Sequence, residues 1–216
     1  MVFPNKPIPP SSAEQYEGGV KIEFFGGRLR STLAYYDLTK TNVTTSDPSH
    51  PGFNIAQGAV HSRGPELDIQ GEILPGWNVI ATYANIDSRI SKSNDGNVGS
   101  RQFNVPRNTG SVWSTYELQS GIFEGLKFGG GVTLRDSQEA CCDAPPFKLA
   151  GYATVDLLAG YSRQFGDTKV SVQLNVNNLL DKHYFTGIGT FNDPFQMAWA
   201  DFGQPRTFMG QVSVQY

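Results

Sequence analysis

Apolar and polar side chains alternate with period two along most of the chain. In residues 16–24 the apolar parity is Tyr16, Val20, Ile22 and Phe24, with Gly18 in phase, and the other parity carries Gln15, Glu17, Lys21 and Glu23. Successive strand side chains point to opposite faces, so this pattern predicts a strand with one apolar and one polar face. Residues 66–73 repeat it, with Leu67, Ile69, Gly71 and Ile73 against Glu66, Asp68, Gln70 and Glu72. Residues 169–177 set Val170, Val172, Leu174 and Val176 against Ser171, Gln173, Asn175 and Asn177. Residues 126–135 set Leu126, Phe128, Val132 and Leu134 against Lys127, Thr133 and Arg135, and the last segment sets Phe208, Val212, Val214 and Tyr216 against Gln211, Ser213 and Gln215. Weaker alternation marks 29–36, 77–83, 112–118 and 153–161; in 112–118 the faces stay unassigned because Trp113 and Tyr116 are both large. No segment carries the apolar stripe of an amphipathic helix.

The connections are of two kinds. Gly26-Gly27, Pro75-Gly76 and Gly166-Asp167 are tight hairpin signals, and 119–125 is a slightly longer turn. The connections 46–52, 91–101, 139–147 and 185–203 are longer and polar. Short and long connections therefore fall at opposite ends of an antiparallel up-and-down meander of about nine strands, the asymmetry of outer-membrane barrels. The C-terminus falls at the short-turn end.

Two architectures accommodate such a meander. A soluble sandwich turns its apolar face inward; a membrane barrel turns it to lipid and lines its interior with the polar face. Trp77 directly follows the Pro75-Gly76 turn, Tyr16 and Tyr216 sit at strand ends, and Tyr35, Tyr36, Tyr83 and Tyr161 lie near the rims. Interfacial girdles place Trp and Tyr there, and a strand as long as 28–45 exceeds the usual ~5–6 residues of globular sheets. The pattern selects the barrel.

Composition is consistent with that choice. Of 216 residues, 17 are basic and 20 acidic, which disfavours a nucleic-acid groove. The mean hydropathy is −0.34, and the chain lacks the ~18-residue apolar run of a membrane-spanning helix; a barrel needs none. There are 24 glycines, and 12% of residues are aromatic, as expected of an all-β chain. The first ten residues hold four prolines and lack the apolar segment of a signal peptide.

Candidate chemistry is sparse. The segment 185–203 holds Phe185, Phe191, Phe195, Trp199 and Phe202, with Met197. On an external loop these rings can stack on a ligand and shield it from water, or they can form an outer girdle and pack the loop. Cys141 and Cys142 are adjacent in 139–147 and fit either a vicinal disulfide or two thiols. His50, His61 and His183 lack metal-ligand spacing, so no protein-held metal or cofactor is expected. Glu17, Lys21, Glu23, Arg30, Glu66, Asp68, Glu72, Lys127, Arg135 and Asp156 fall on the polar parity. They would line the interior, either as contacts to something the barrel encloses or as ordinary interior polarity. No nucleophile–base pair or phosphate-cradling loop stands out, so an enzyme is not expected.

Several motifs resemble those of the TonB-dependent outer-membrane receptors. Asn175-Val176-Asn177-Asn178-Leu179-Leu180-Asp181-Lys182-His183-Tyr184 resembles that family's Asn-Leu-Phe-Asp-Lys-x-Tyr run, with Leu180 in place of Phe. Gly203-Gln204-Pro205-Arg206-Thr207 resembles the Gly-x-Pro-Arg that leads into its last strand. Glu17-Gly18-Gly19-Val20-Lys21, Ser62-Arg63-Gly64-Pro65-Glu66-Leu67 and Pro75-Gly76-Trp77-Asn78 are similar to barrel motifs of its ferric-siderophore receptors, in family order. Tyr216 fits the terminal aromatic residue that the family presents to the barrel assembly machinery.

The resemblance implies a barrel of about 22 strands with a plugged lumen. The fold expected here is therefore all-β, an incomplete part of a transmembrane β-barrel: 1–13 an external loop remnant, 14–216 the C-terminal part of the barrel, with the plug domain and the TonB-binding segment outside the chain. It also implies a receptor in the Gram-negative outer membrane for TonB-dependent uptake of a ferric siderophore. The ligand would meet Phe191, Phe195 and Trp199, and the family signature would be Asn178, Leu179, Asp181, Lys182, Tyr184, Pro205 and Arg206. Expected partners are the siderophore, the TonB system, the barrel assembly machinery and lipid. A passive porin-like barrel is the alternative, and it should lack the Asn-Leu-x-Asp-Lys and Pro-Arg motifs.

Overall fold

Period-two alternation becomes long antiparallel strands in the computed structural model, which describes residues 1–140, 148–190 and 198–216. The strands are β1 (Ser12–Phe24), β2 (Leu29–Ser46), β3 (Asn54–Leu74), β4 (Trp77–Asn85), β5 (Asp87–Lys92), β6 (Asn108–Glu117), β7 (Leu126–Arg135), β8 (Gln138–Glu139), β9 (Lys148–Leu149), β10 (Tyr152–Phe165), β11 (Thr168–Asn177), β12 (Phe185–Thr190), β13 (Ala198–Phe202) and β14 (Thr207–Gln215). One sheet runs in the order β1-β2-β3-β4-β6-β7-β10-β11-β14, a meander of the expected nine wall strands, with β5 added against β3. β12–β13 and β8–β9 are separate two-stranded sheets. Among the described residues the outer edges of β1 and β14 pair with nothing, so the sheet is unclosed.

Register carries each parity across the wall. Val20, Leu33, Leu67, Tyr83, Gly110, Leu134 and Ala153 are successive cross-strand partners on one face. Lys21, Thr32, Asp68, Thr82, Ser111, Thr133 and Thr154 form the adjacent row on the other. The apolar face is the open one: Leu33 is 50%, Leu134 55% and Val212 69% exposed. The polar face is the sheltered one, with Ala34, Tyr36 and Thr154 buried. A sandwich would show the reverse, because its stability comes from removing the apolar face from water.

The structure assigns the faces that alternation left open. Trp113 lies opposite Ile80 and Gly131 on the sheltered face, and Tyr116 lies opposite Trp77 and Phe128 on the outward one. Trp77, Tyr116 and Phe128 thus form an aromatic row at the short-turn rim. Tyr36 departs from the girdle expected of it. It faces inward, on the same parity of β2 as Thr32 and Ala34, and its hydroxyl lies 3.3 Å from Ser62 Oγ.

The wall is uneven in height. β3 has 21 residues and β14 has 9, or about 70 Å against about 30 Å at ~3.3 Å per residue. The lower part of β3 pairs with β4 and its upper part with β5. At the changeover a Cβ on Gly64 would run into the Asn85 carbonyl. The following Pro65 has no N–H to leave unpaired at the break. The Gly64-Pro65 motif is thus the seam where one strand hands over to two.

Candidate functional site

The signature residues converge at the outer end of β11. Asn178 is 3% exposed and sits at φ 50°, a left-handed conformation that Asn tolerates better than most residues. Its backbone N–H donates to Asp156 Oδ1 at 2.7 Å. Its Nδ2 donates to the carbonyls of Lys182 (2.9 Å) and Gln204 (3.0 Å), and its Oδ1 accepts from the Lys182 N–H at 2.8 Å. Asp181 Oδ1 accepts from the Arg206 N–H at 3.0 Å, and Arg206 Nη1 donates to the Leu179 carbonyl at 3.3 Å. The Arg206 N–H, reinforced by the charge of its guanidinium, holds the Asp181 carboxyl below the usual carboxylate range. Tyr184 packs on Tyr152 with centroids 4.1 Å apart, and its ring lies so close over Gly203 that a Cβ there would displace it. Asn178, Leu179, Asp181, Lys182, Tyr184 and Arg206 therefore form a clasp between β11 and the start of β14, with Pro205 in the strand-entering segment. Leu180, where the motif departs from the family, is 70% exposed and outside these bonds.

The segment 185–203, expected as a loop, contains the hairpin β12–β13. Its base is closed by Phe185 against Phe202, with centroids 4.9 Å apart. Trp199 lies opposite Gly189 and is 44% exposed. Phe191, Phe195, Met197, Cys141 and Cys142 lie outside the described residues. Two residues with no sequence signal hold this hairpin. Asn104 Nδ2 donates to the Ile188 carbonyl at 2.8 Å, and its Oδ1 accepts from the Ile188 N–H at 3.0 Å. Buried Gln138 donates from Nε2 to the Thr186 carbonyl at 3.0 Å. Ala140, Leu149 and Ile188, with Ala200, make a small apolar cluster beneath.

The other candidates are distributed around the wall. Asp47 in the β2–β3 connection bonds the His50 ring at 3.0 Å, a contact that lowers its carboxyl below the usual range, and Phe3 stacks on that ring. His61 bonds Asp37 at 2.8 Å on the outer part of the wall. On the inward parity Glu23 pairs with Arg30 at 3.1 Å, and Glu72 caps the Gly76 N–H at 2.8 Å. Asp156 is engaged by the clasp. Glu66, Asp68, Thr82, Ser111, Thr133 and Arg135 line part of an open recess of about 410 Å³. Tyr216 is fully exposed at the short-turn end.

The family model described as "TonB dependent receptor-like, beta-barrel" matches residues 1–179. The chain is 33% identical over 211 residues to the metal-pseudopaline receptor CntO of Pseudomonas aeruginosa, covering 98% of this chain and 28% of that protein. It is 33% identical over 208 residues to the ferrioxamine B receptor of Salmonella typhimurium, covering 95% and 28%. The crystal structure of the Pseudomonas aeruginosa ferripyoverdine receptor bound to ferripyoverdine aligns with a TM-score of 0.74 at 30% identity, over 96% of this chain and 28% of that one. The chain thus spans little more than a quarter of the length of these relatives.

Proposed function

Because the chain belongs to the TonB-dependent receptor family and forms part of its β-barrel, we propose that it is the C-terminal part of an outer-membrane receptor that imports a ferric siderophore with energy supplied through TonB. Members of this family are receptor transporters of the Gram-negative outer membrane, not enzymes. One observation carries the reading: 33% identity over 98% of the chain to a receptor for a metal chelate. The inverted faces agree with it, since an exposed apolar parity is what lipid contact requires. The clasp from Asn178 to Arg206 favours a receptor over a passive pore. On this reading the external loop ends at Ser11, because β1 already begins at Ser12 and not after Ala13, the nine-strand meander is barrel wall, and Tyr216 presents the terminal aromatic to the assembly machinery.

Ligand contact is assigned to the long-connection end. Trp199 offers an exposed ring on β13, and Phe191 and Phe195 join it on sequence grounds. Flat apolar rings shield a chelated metal from water without replacing its ligands. In a receptor carrying this chain, Trp199→Ala should weaken equilibrium binding of the cognate ferric siderophore about tenfold, or about 1.4 kcal/mol, with normal surface display. Unchanged affinity would return Trp199 to a structural role. A parent receptor that binds no member of a broad panel of ferric siderophores would overturn the functional reading itself.

A further inference from the structure

A two-stranded hairpin standing alone is marginal in water, so β12–β13 needs support from elsewhere. Asn104 supplies what a third strand would. Its amide donates to the Ile188 carbonyl and accepts from the Ile188 N–H, the reciprocal pair of bonds that facing residues exchange in an antiparallel ladder. Its own N–H donates to the Glu139 carbonyl at 2.9 Å. Asn104 therefore joins three connections: the one leading into β6, the one between β7 and β10, and the one between β11 and β14. Gln138 repeats the link through Thr186 and bridges back to Pro106.

The path of the hairpin follows from where its ends are fixed. It springs from the outer ends of β11 and β14, whereas Asn104 precedes β6, three places along the wall from β11. A chord between two points of a curved wall runs on the concave side. Tyr184, at the root of the hairpin, packs on Tyr152, which shares the sheltered face with its partner Arg135 and with Thr154.

We infer that Asn104, supported by Gln138, is a positioning residue of the ligand-capture surface, holding β12–β13 and its exposed Trp199 across the barrel mouth before ligand arrives. This rests on the receptor reading above. The apparent dissociation constant scales inversely with the fraction of molecules in the competent arrangement. Releasing the hairpin so that one molecule in ten is competent therefore weakens binding tenfold.

The test uses the receptor carrying this chain, with Asn104→Ala, Asn104→Asp and Gln138→Ala beside the parent. Asn104→Asp keeps the acceptor for Ile188 N–H and loses the donor. Three quantities are measured: hydrogen exchange of the peptide covering β12, equilibrium binding of a ferric siderophore that the parent binds, and the heat-dependent gel mobility of the folded barrel. Asn104→Ala should expose the Ile188 amide to exchange and raise the dissociation constant about tenfold, with barrel mobility unchanged and Asn104→Asp intermediate. If Asn104→Ala fails to assemble, Gln138→Ala and Asn104→Asp carry the same comparison. Unchanged exchange in β12 overturns the anchoring, and increased exchange with parental affinity overturns the link to ligand capture. A parent that binds no ferric siderophore counts against the receptor reading alone, because exchange in β12 still decides whether Asn104 anchors the hairpin.

Discussion

Asn178 is buried because its side chain satisfies backbone groups that the end of β11 leaves behind. Its amide serves Lys182 from both sides and reaches Gln204, 26 positions away in sequence. Asn178→Ala would take the partner from the Lys182 and Gln204 carbonyls and the Lys182 N–H. A hydrogen bond lost where water can reach the freed group costs about 0.5–1.5 kcal/mol, so the receptor carrying this substitution should unfold at lower denaturant concentration, with the loss concentrated at β14. An unchanged midpoint would show that water replaces the amide without cost. The sequence marks Asn178, Asp181 and Arg206 as motif members, but the bonds from Asn178 to Gln204 and between Asp181 and Arg206 cross a connection of more than twenty residues. Asn104 carried no mark at all, since its role is defined entirely by where Ile188 arrives.

At the scale of strands, alternation specifies faces wherever one parity is uniformly apolar. Leu174 lies between Ala159 and Gly210 on the open face, whereas Gln173 lies between Gly160 and Gln211 on the sheltered one. Arg in place of Leu174 should cost about 2–4 kcal/mol near the bilayer midplane, and in place of Gln173 much less. Yields of folded, heat-modifiable receptor for Leu174→Arg and Gln173→Arg measure the difference, and equal yields would overturn the facing. Residues 112–118 resisted this reading because both parities carry a large ring. Register resolves them: Gly131 opposite Trp113 leaves space for the indole on the inner face, and Tyr116 joins the rim row with Trp77 and Phe128. β12 and β13 resisted it for another reason. With Gly187, Gly189 and Asp201 they lack a clean alternation, and their pairing depends on Asn104, Gln138 and the cluster around Ile188.

For the whole molecule the governing fact is that the described sheet has two free edges. Backbone groups left unpaired in hydrocarbon cost several kcal/mol each, and exposed edges template pairing with other chains. These 216 residues, produced with an export signal and nothing further, should therefore aggregate and give no heat-modifiable barrel. Siderophore-dependent iron uptake by cells making this polypeptide alone would contradict that. The amino-acid sequence by itself determined the all-β meander, the facing of its strongly alternating strands, the two unlike ends of the wall and the family motifs. Each of these is a local property, set by side-chain direction along a strand or by the conformational demands of a turn. Only the tertiary structure decided the inward turn of Tyr36, the handover from β4 to β5 at Gly64, the bonds that make the signature a clasp, and the bracket at Asn104. These depend on which distant backbone groups come within hydrogen-bonding reach, and that is fixed by the register and curvature of the folded wall, not by any local pattern.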